Sequence, residues 1–205
     1  TVPTAEEIHA RRQAVGFQLI DLSRPGHLRK RRAEVTLDLA SIAKGYGVDR
    51  VAEVVLAHGF KRFLVEIGGE VYAGGRRRDG QLWRIGISQP TAGVFDRIYK
   101  VVTLEDGAFA TSGDYRNFFE SGGRRYSHIL DPRTGWPVDN RVVSASVVAP
   151  TCTLADGLAT ALMVMGPSAG LALVERLEGV ECLIVVQGPD GTFQDHPSRG
   201  FRAVP

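Results

Sequence analysis

Cysteine is nearly absent from this chain: Cys152 and Cys182 are the only two in 205 residues. Two thiols far apart in sequence exclude a cysteine-based metal cluster and a dense disulfide framework. Whether they are two buried thiols or one disulfide stays open, and with it the redox compartment. A charge excess is also missing, since 25 Lys and Arg face 23 Asp and Glu for a net charge of +2. So even a balance excludes a dedicated nucleic-acid or polyanion binder. No apolar window reaches the length of a membrane span, and no signal peptide opens the chain. Internal repeats are absent as well. The first residue is Thr1 rather than Met, which predicts that a segment was removed upstream. What remains is ordinary globular composition, 43% hydrophobic, with length enough for a sizeable core in one domain or two closely packed subdomains.

Local signals place the elements. Thr4-Ala5-Glu6-Glu7 reads as a capping box, with Thr4 as N-cap and Glu7 three residues on. The basic run Arg29-Lys30-Arg31-Arg32 is expected in the solvated turn of a hairpin between Phe17–Leu22 and Ala33–Leu37. Ser41 to Ala57 reads as a helix with Ile42, Tyr46, Val51, Val54 and Val55 as its apolar positions and Gly59 as its stop. Strands are expected at Phe63–Ile67, Val71–Ala73, Trp83–Ser88, Tyr99–Leu104, Arg125–Leu130, Val143–Ala149 and Cys182–Gln187. Gly74–Gly80 and Gly122-Gly123-Arg124 read as hairpin tips, and Gly166-Pro167 splits Thr153–Met165 from Ser168–Glu178. The tail after Pro189 carries few signals. Antiparallel runs with a few helices make the fold class α+β rather than a doubly wound sheet.

Several motifs carry chemistry, each beside a plainer explanation. Tyr126-Ser127-His128-Ile129-Leu130-Asp131-Pro132-Arg133-Thr134-Gly135 brings an imidazole to the end of a strand and then a rigid turn. A surface hairpin whose His and Asp satisfy the backbone accounts for it equally. Asp38-Leu39-Ala40-Ser41-Ile42-Ala43-Lys44-Gly45-Tyr46-Gly47 opens a helix with two glycines, each costing about 1 kcal/mol of helix propensity. Either close packing by small residues or a phosphate at a helix start beside Lys44 offsets that cost. It is neither a Walker A loop nor a dinucleotide fingerprint. Val65-Glu66-Ile67-Gly68-Gly69-Glu70 ends a strand on paired glycines, the mark of a bulge or turn. Ala110-Thr111-Ser112-Gly113-Asp114-Tyr115 lacks the flanking glycines of a nucleophile elbow, which argues against a serine hydrolase. Asp156 and Thr160, four apart on a helix, put a carboxylate and a hydroxyl on one face. That pair suits the sparse oxygen demand of Mg²⁺ beside substrate phosphates, and also suits decoration of a helix start.

Taken in order, Asp38–Asp49, Val65–Glu70, Ala110–Tyr115, Ser127–Gly135 and Ala155–Ala161 resemble the FAD:protein FMN transferases, the ApbE family, from about Thr4 to Gln187. The resemblance implies an α+β flavin transferase domain over residues 1–205, short on its N-terminal side relative to the family. Members usually carry an upstream region that contributes to the flavin pocket, and often a lipoprotein signal. It implies Mg²⁺-dependent transfer of FMN from FAD to a threonine of an acceptor protein, with release of AMP. By position, Asp156 and Thr160 would ligate Mg²⁺ with the backbone carbonyl of Ser41, at a place often held by alanine. Asp38, Lys44 and Ile129 would line the FAD site, and His128 would be the general base, working with Asp156 in catalysis. FAD and the acceptor protein are the implied partners, with no nucleic acid and no transmembrane segment in the chain. The implied location is periplasmic or otherwise extracytoplasmic, with membrane anchoring. Two other uses of such a site are an FAD diphosphatase yielding FMN and AMP, and a flavin-binding protein without turnover.

Overall fold

In the central strands, successive side chains point to opposite faces, and here the two faces enter two different cores. Phe109, Leu183 and Val185 pack toward one side, while Ala110, Cys182 and Ile184 pack toward the other. The computed structural model describes residues 2–91, 93, 97–114, 118–121 and 124–204, the side chains of 118–121, 124 and 125 excepted. The chain runs α1 (Ala5–Arg12), β1 (Ile20–Asp21), β2 (Arg29–Lys30), α2 (Ala40–Ala57), β3 (Phe63–Ile67), β4 (Glu70–Gly74), β5 (Trp83–Ser88), β6 (Ile98–Leu104) and β7 (Gly107–Gly113). It continues through β8 (Phe118–Ser121), β9 (Arg124–Ser127), β10 (Val142–Ala149), α3 (Cys152–Val174), β11 (Glu181–Gln187), β12 (Phe193–Pro197) and β13 (Ala203–Val204).

A six-stranded antiparallel sheet in the order β12-β11-β10-β7-β4-β3 forms the middle layer. The helices α2 and α3 cover one face, where Ala110, Ala145 and Val147 meet Ala155, Ala159, Leu162 and Met163. A three-stranded sheet, β13-β6-β5, covers the other through Ile87, Val102 and Leu104. Each fully buried Leu or Ile contributes about 1.5–3 kcal/mol by leaving water. The α+β expectation therefore holds, with largely antiparallel pairing throughout.

Two carboxylates join the helices. Asp49 of α2 accepts from the Cys152 N–H at 2.7 Å and from the Thr153 N–H at 2.9 Å, completing the first turn of α3. In return, Asp156 of α3 accepts from the Gly45 N–H of α2 at 2.9 Å. Gly45 is where the helices touch: a Cβ there would stand 2.4 Å from the Cys152 carbonyl oxygen and 2.8 Å from Asp156 Cβ. Close packing thus explains Gly45. Gly45→Ala is expected to lower stability by about 1–3 kcal/mol, because a backbone carbonyl cannot yield as a flexible side chain would. That strain outweighs a helix-propensity gain of about 1 kcal/mol. Thermal unfolding checks it, since a chain of this size loses roughly 2–4 °C of Tm per kcal/mol.

The structure corrects several local readings. The buried face of α2 is Gly45, Val48 and Ala52, while Tyr46, Val51 and Val54 are exposed. Half of the basic run is strand rather than turn, because Arg29 and Lys30 form β2 against β1 while Arg31 and Arg32 enter the turn after it; Phe17–Leu19 is a 3-10 turn and Ala33–Leu37 is not a strand. Gly74–Gly80 links two sheets rather than closing a hairpin, since β4 pairs with β3 and β7 while β5 pairs with β6. The Gly122-Gly123 tip and Tyr115 lie outside the described residues. α3 is long and apolar enough to cross a membrane by length and composition, contrary to expectation. Here it lies on the sheet and bends at Gly166 (φ 74°), ahead of Pro167, and its regular part stops at Val174 rather than Glu178. Pro167 has no N–H for the Met163 carbonyl. Asn140 replaces it, donating to Met163 O at 2.8 Å.

Candidate functional site

A cavity of about 750 Å³ opens where the start of α2, the β3–β4 turn, the ends of β5 and β7, residues 128–130 and the middle of α3 converge. Asp38, Ser41, Lys44, His128, Ile129, Asp156 and Thr160 all line it. These residues were singled out from separate stretches of sequence, and the fold brings all seven to one place.

Each is positioned by local chemistry. Asp38 accepts from the Ala40 N–H at 2.8 Å, fixing the entry to α2. Gly68 (φ 62°) and Gly69 (φ 101°) form a two-residue turn between the paired residues Ile67 and Glu70, a conformation that favours glycine. The turn reading of these glycines is correct, and both also line the cavity. His128 follows the last residue of β9 and is held between two pinned neighbours. Ile129 donates its N–H to Ser127 Oγ at 3.1 Å and accepts at its carbonyl from the Val138 N–H at 3.0 Å. The expected turn then follows, with the Gly135 N–H donating to Asp131 O at 2.7 Å and Gly135 at φ 77°. Asp131 does not join the cavity wall. Its carboxylate bonds the Arg133 backbone at 2.8 Å and the Arg133 guanidinium at 2.7 Å, which holds its pKa below the usual range.

Asp156 is buried and Thr160 half-buried one turn further along α3. Thr151 caps the helix, so Asp156 is not capping decoration. Burial pushes its pKa upward, opposed by the Gly45 N–H and by the charge of Lys44. The Thr160 hydroxyl shares a hydrogen bond with Ser112 Oγ at 3.1 Å. This donor set is all oxygen, hard and sparse, and it fits a cation such as Mg²⁺ whose remaining positions go to phosphate and water. The thiols do not fit such a role. Both cysteines are free and buried, and burial pushes Cys152 up to about 12 and Cys182 up to about 11, so neither is a thiolate at neutral pH.

Two residues escaped attention in the sequence. Ser112, in the stretch that lacks the nucleophile-elbow glycines, is the partner of Thr160. Glu70 was one of two carboxylates around the paired glycines, with nothing to separate it from Glu66. Burial separates them: Glu70 is 2% exposed and Glu66 is exposed. The available signal was strand alternation, which turns Glu70 inward only once the two-residue turn is known.

Comparison with known proteins gives a consistent set of relatives. The ApbE family model matches residues 1–184. A FAD:protein FMN transferase of Vibrio cholerae is 45% identical over 201 residues, covering 98% of this chain and 59% of that protein. One from Treponema pallidum is 37% identical over 174 residues, covering 81% of this chain and 48% of its own length. Among solved structures, the flavin transferase ApbE from Vibrio cholerae superposes with a TM-score of 0.85 at 43% identity, covering 98% of this chain and 62% of that one. The ApbE protein of Thermotoga maritima gives 0.81 at 33% identity, with coverage of 97% and 63%. The chain thus spans less than two thirds of the length of these relatives.

Proposed function

The chain belongs to the ApbE family, and on that premise we propose that it transfers FMN from FAD to a threonine hydroxyl of an acceptor protein, releasing AMP, with Mg²⁺ as cofactor. The observation that carries this reading is the single cavity in which a cationic side chain, a histidine and a carboxylate–hydroxyl pair face the same space. A diphosphate needs all of these: positive charge along its oxygens, a base for the incoming hydroxyl, and oxygen ligands for a cation.

Lys44, on the first turns of α2, presents its ammonium to the diphosphate, with Asp38 and Ile129 as walls of the FAD site. Asp156, Thr160 and the Ser41 carbonyl would hold Mg²⁺. When bound, that ion neutralises charge on the transferred phosphoryl group and on the leaving AMP. His128 takes the proton of the acceptor hydroxyl as its oxygen bonds to the FMN-side phosphorus. The bond from that phosphorus to the bridging oxygen breaks, and AMP departs with the electron pair. Hydrogen bonds made by Ile129 hold the backbone beside His128 at the cavity. Family membership alone supports an extracytoplasmic, membrane-anchored location.

The test is incubation of the purified chain with FAD, MgCl₂ and a threonine-bearing acceptor. Covalent flavin on the acceptor together with stoichiometric AMP is the expected result. Free FMN and AMP without acceptor labelling would make the protein an FAD diphosphatase. Bound FAD with no AMP would make it a binding protein.

A further inference from the structure

Glu70 has no part in the mechanism above, yet it is a buried carboxylate beside the cavity. It begins β4, directly after Gly68-Gly69, and is 2% exposed. One oxygen accepts from Lys44 Nζ at 2.5 Å. The other, Oε2, is sealed from solvent with no hydrogen-bond partner among the described residues. Burying a carboxylate is costly, and apolar replacements of buried ion pairs are often no less stable. Stability alone is therefore a poor reason for this pair.

Placement is a better one. The Lys44 side chain is 46% exposed at the cavity wall. Its stem runs past Gly68, where a Cβ would stand 3.2 Å from Lys44 Cδ. The ammonium interacts electrostatically with two buried carboxylates, Glu70 and Asp156. Freed from Glu70, it would be drawn to Asp156 and would compete there with any cation. We propose that Glu70 is a positioning residue: it tethers the Lys44 ammonium at the cavity wall, toward a bound diphosphate and away from Asp156, leaving the oxygens of Asp156 to the metal. This rests on the flavin-transferase reading of the site.

Glu70→Gln keeps the shape and removes the charge. Three readouts separate tethering from mere support. Lys44 acetylation, followed by mass spectrometry in flavin-free protein, should quicken several-fold once the ammonium is released. The FAD Kd from fluorescence quenching should weaken by about tenfold, the scale of one charge-assisted hydrogen bond. The MgCl₂ concentration that half-maximally tightens FAD binding should rise, because Lys44 now contends for Asp156. The double variant Lys44→Met/Glu70→Gln removes both charges of the pair and so avoids a lone buried charge. Its FAD Kd should match that of Lys44→Met alone, with MgCl₂ dependence returning toward wild type.

Unchanged Lys44 reactivity in Glu70→Gln overturns the proposal. So does a double variant weaker than Lys44→Met by the full factor of the single Glu70 change, since that additivity means the two residues act independently. If the unmodified chain binds no FAD, the transferase reading falls instead, and Lys44 reactivity still reports on the tether.

Discussion

Asp156→Asn is expected to cut Mg²⁺-dependent AMP release by about 10²–10³-fold while leaving the fold standing, the scale of losing one preorganised charge-stabilising group. The separation of the two effects follows from what Asp156 touches. It is buried and accepts one hydrogen bond from the Gly45 N–H at 2.9 Å. Asparagine fills the same volume and offers a carbonyl oxygen to that N–H, so α2 and α3 stay joined. What asparagine lacks is the negative charge and the second anionic oxygen that a hard cation takes as ligand. Asp156→Ala would mix two losses. The Gly45 N–H would be orphaned at about 1–3 kcal/mol, so thermal unfolding should resolve the alanine variant from the asparagine one. AMP release at saturating FAD across a MgCl₂ titration is the deciding measurement. Wild-type rates with the same MgCl₂ dependence in Asp156→Asn would remove this residue from the metal site.

Much of the site was legible in the sequence because its residues sit in short local patterns. Asp38 to Lys44 cover the entry and first turns of α2, His128-Ile129 follow β9, and Asp156/Thr160 lie one turn apart on α3; the family resemblance of these stretches, rather than spacing alone, singles the residues out. The strands Phe63–Ile67 and Trp83–Ser88 were legible from local pattern: β-branched and aromatic residues run between turn signals. Strand β7 was not, although it lies inside the central sheet. Gly107-Ala108-Phe109-Ala110-Thr111-Ser112-Gly113 has small residues where a strand usually shows bulky ones. The reason is tertiary: Ala108 and Ala110 face the closely packed α2 and α3. The same packing moved the buried face of α2 to Gly45, Val48 and Ala52, where two small residues let the helices approach closely. β12 was hidden because Gln194, Asp195, His196 and Pro197 make an edge strand of polar residues. The ion pair of Lys44 with Glu70 joins two separate segments, and no local pattern announces such a pair.

His128→Ala is expected to lower the transfer rate by about 10²–10⁴-fold, the usual worth of a positioned general base, with FAD affinity changed by less than about twofold. The geometry separates these quantities. His128 is exposed at the cavity, and hydrogen bonds of its neighbours hold the backbone around it: Ile129 N–H to Ser127 Oγ and Val138 N–H to Ile129 O. The following turn is closed by its own bonds from Thr134 and Gly135 to the Asp131 carbonyl. Truncating the imidazole leaves all of these backbone bonds in place. The other polar groups of the cavity, Lys44 and the α3 pair, also remain. Single-turnover transfer measured beside equilibrium FAD binding tests the split, and added imidazole should recover part of the rate in His128→Ala. A base is needed only as the acceptor hydroxyl loses its proton, so its removal acts on the rate and spares the ground state. If FAD affinity falls in step with the rate and imidazole restores neither, His128 is a wall of the flavin pocket, and the proton of the acceptor hydroxyl leaves by another route.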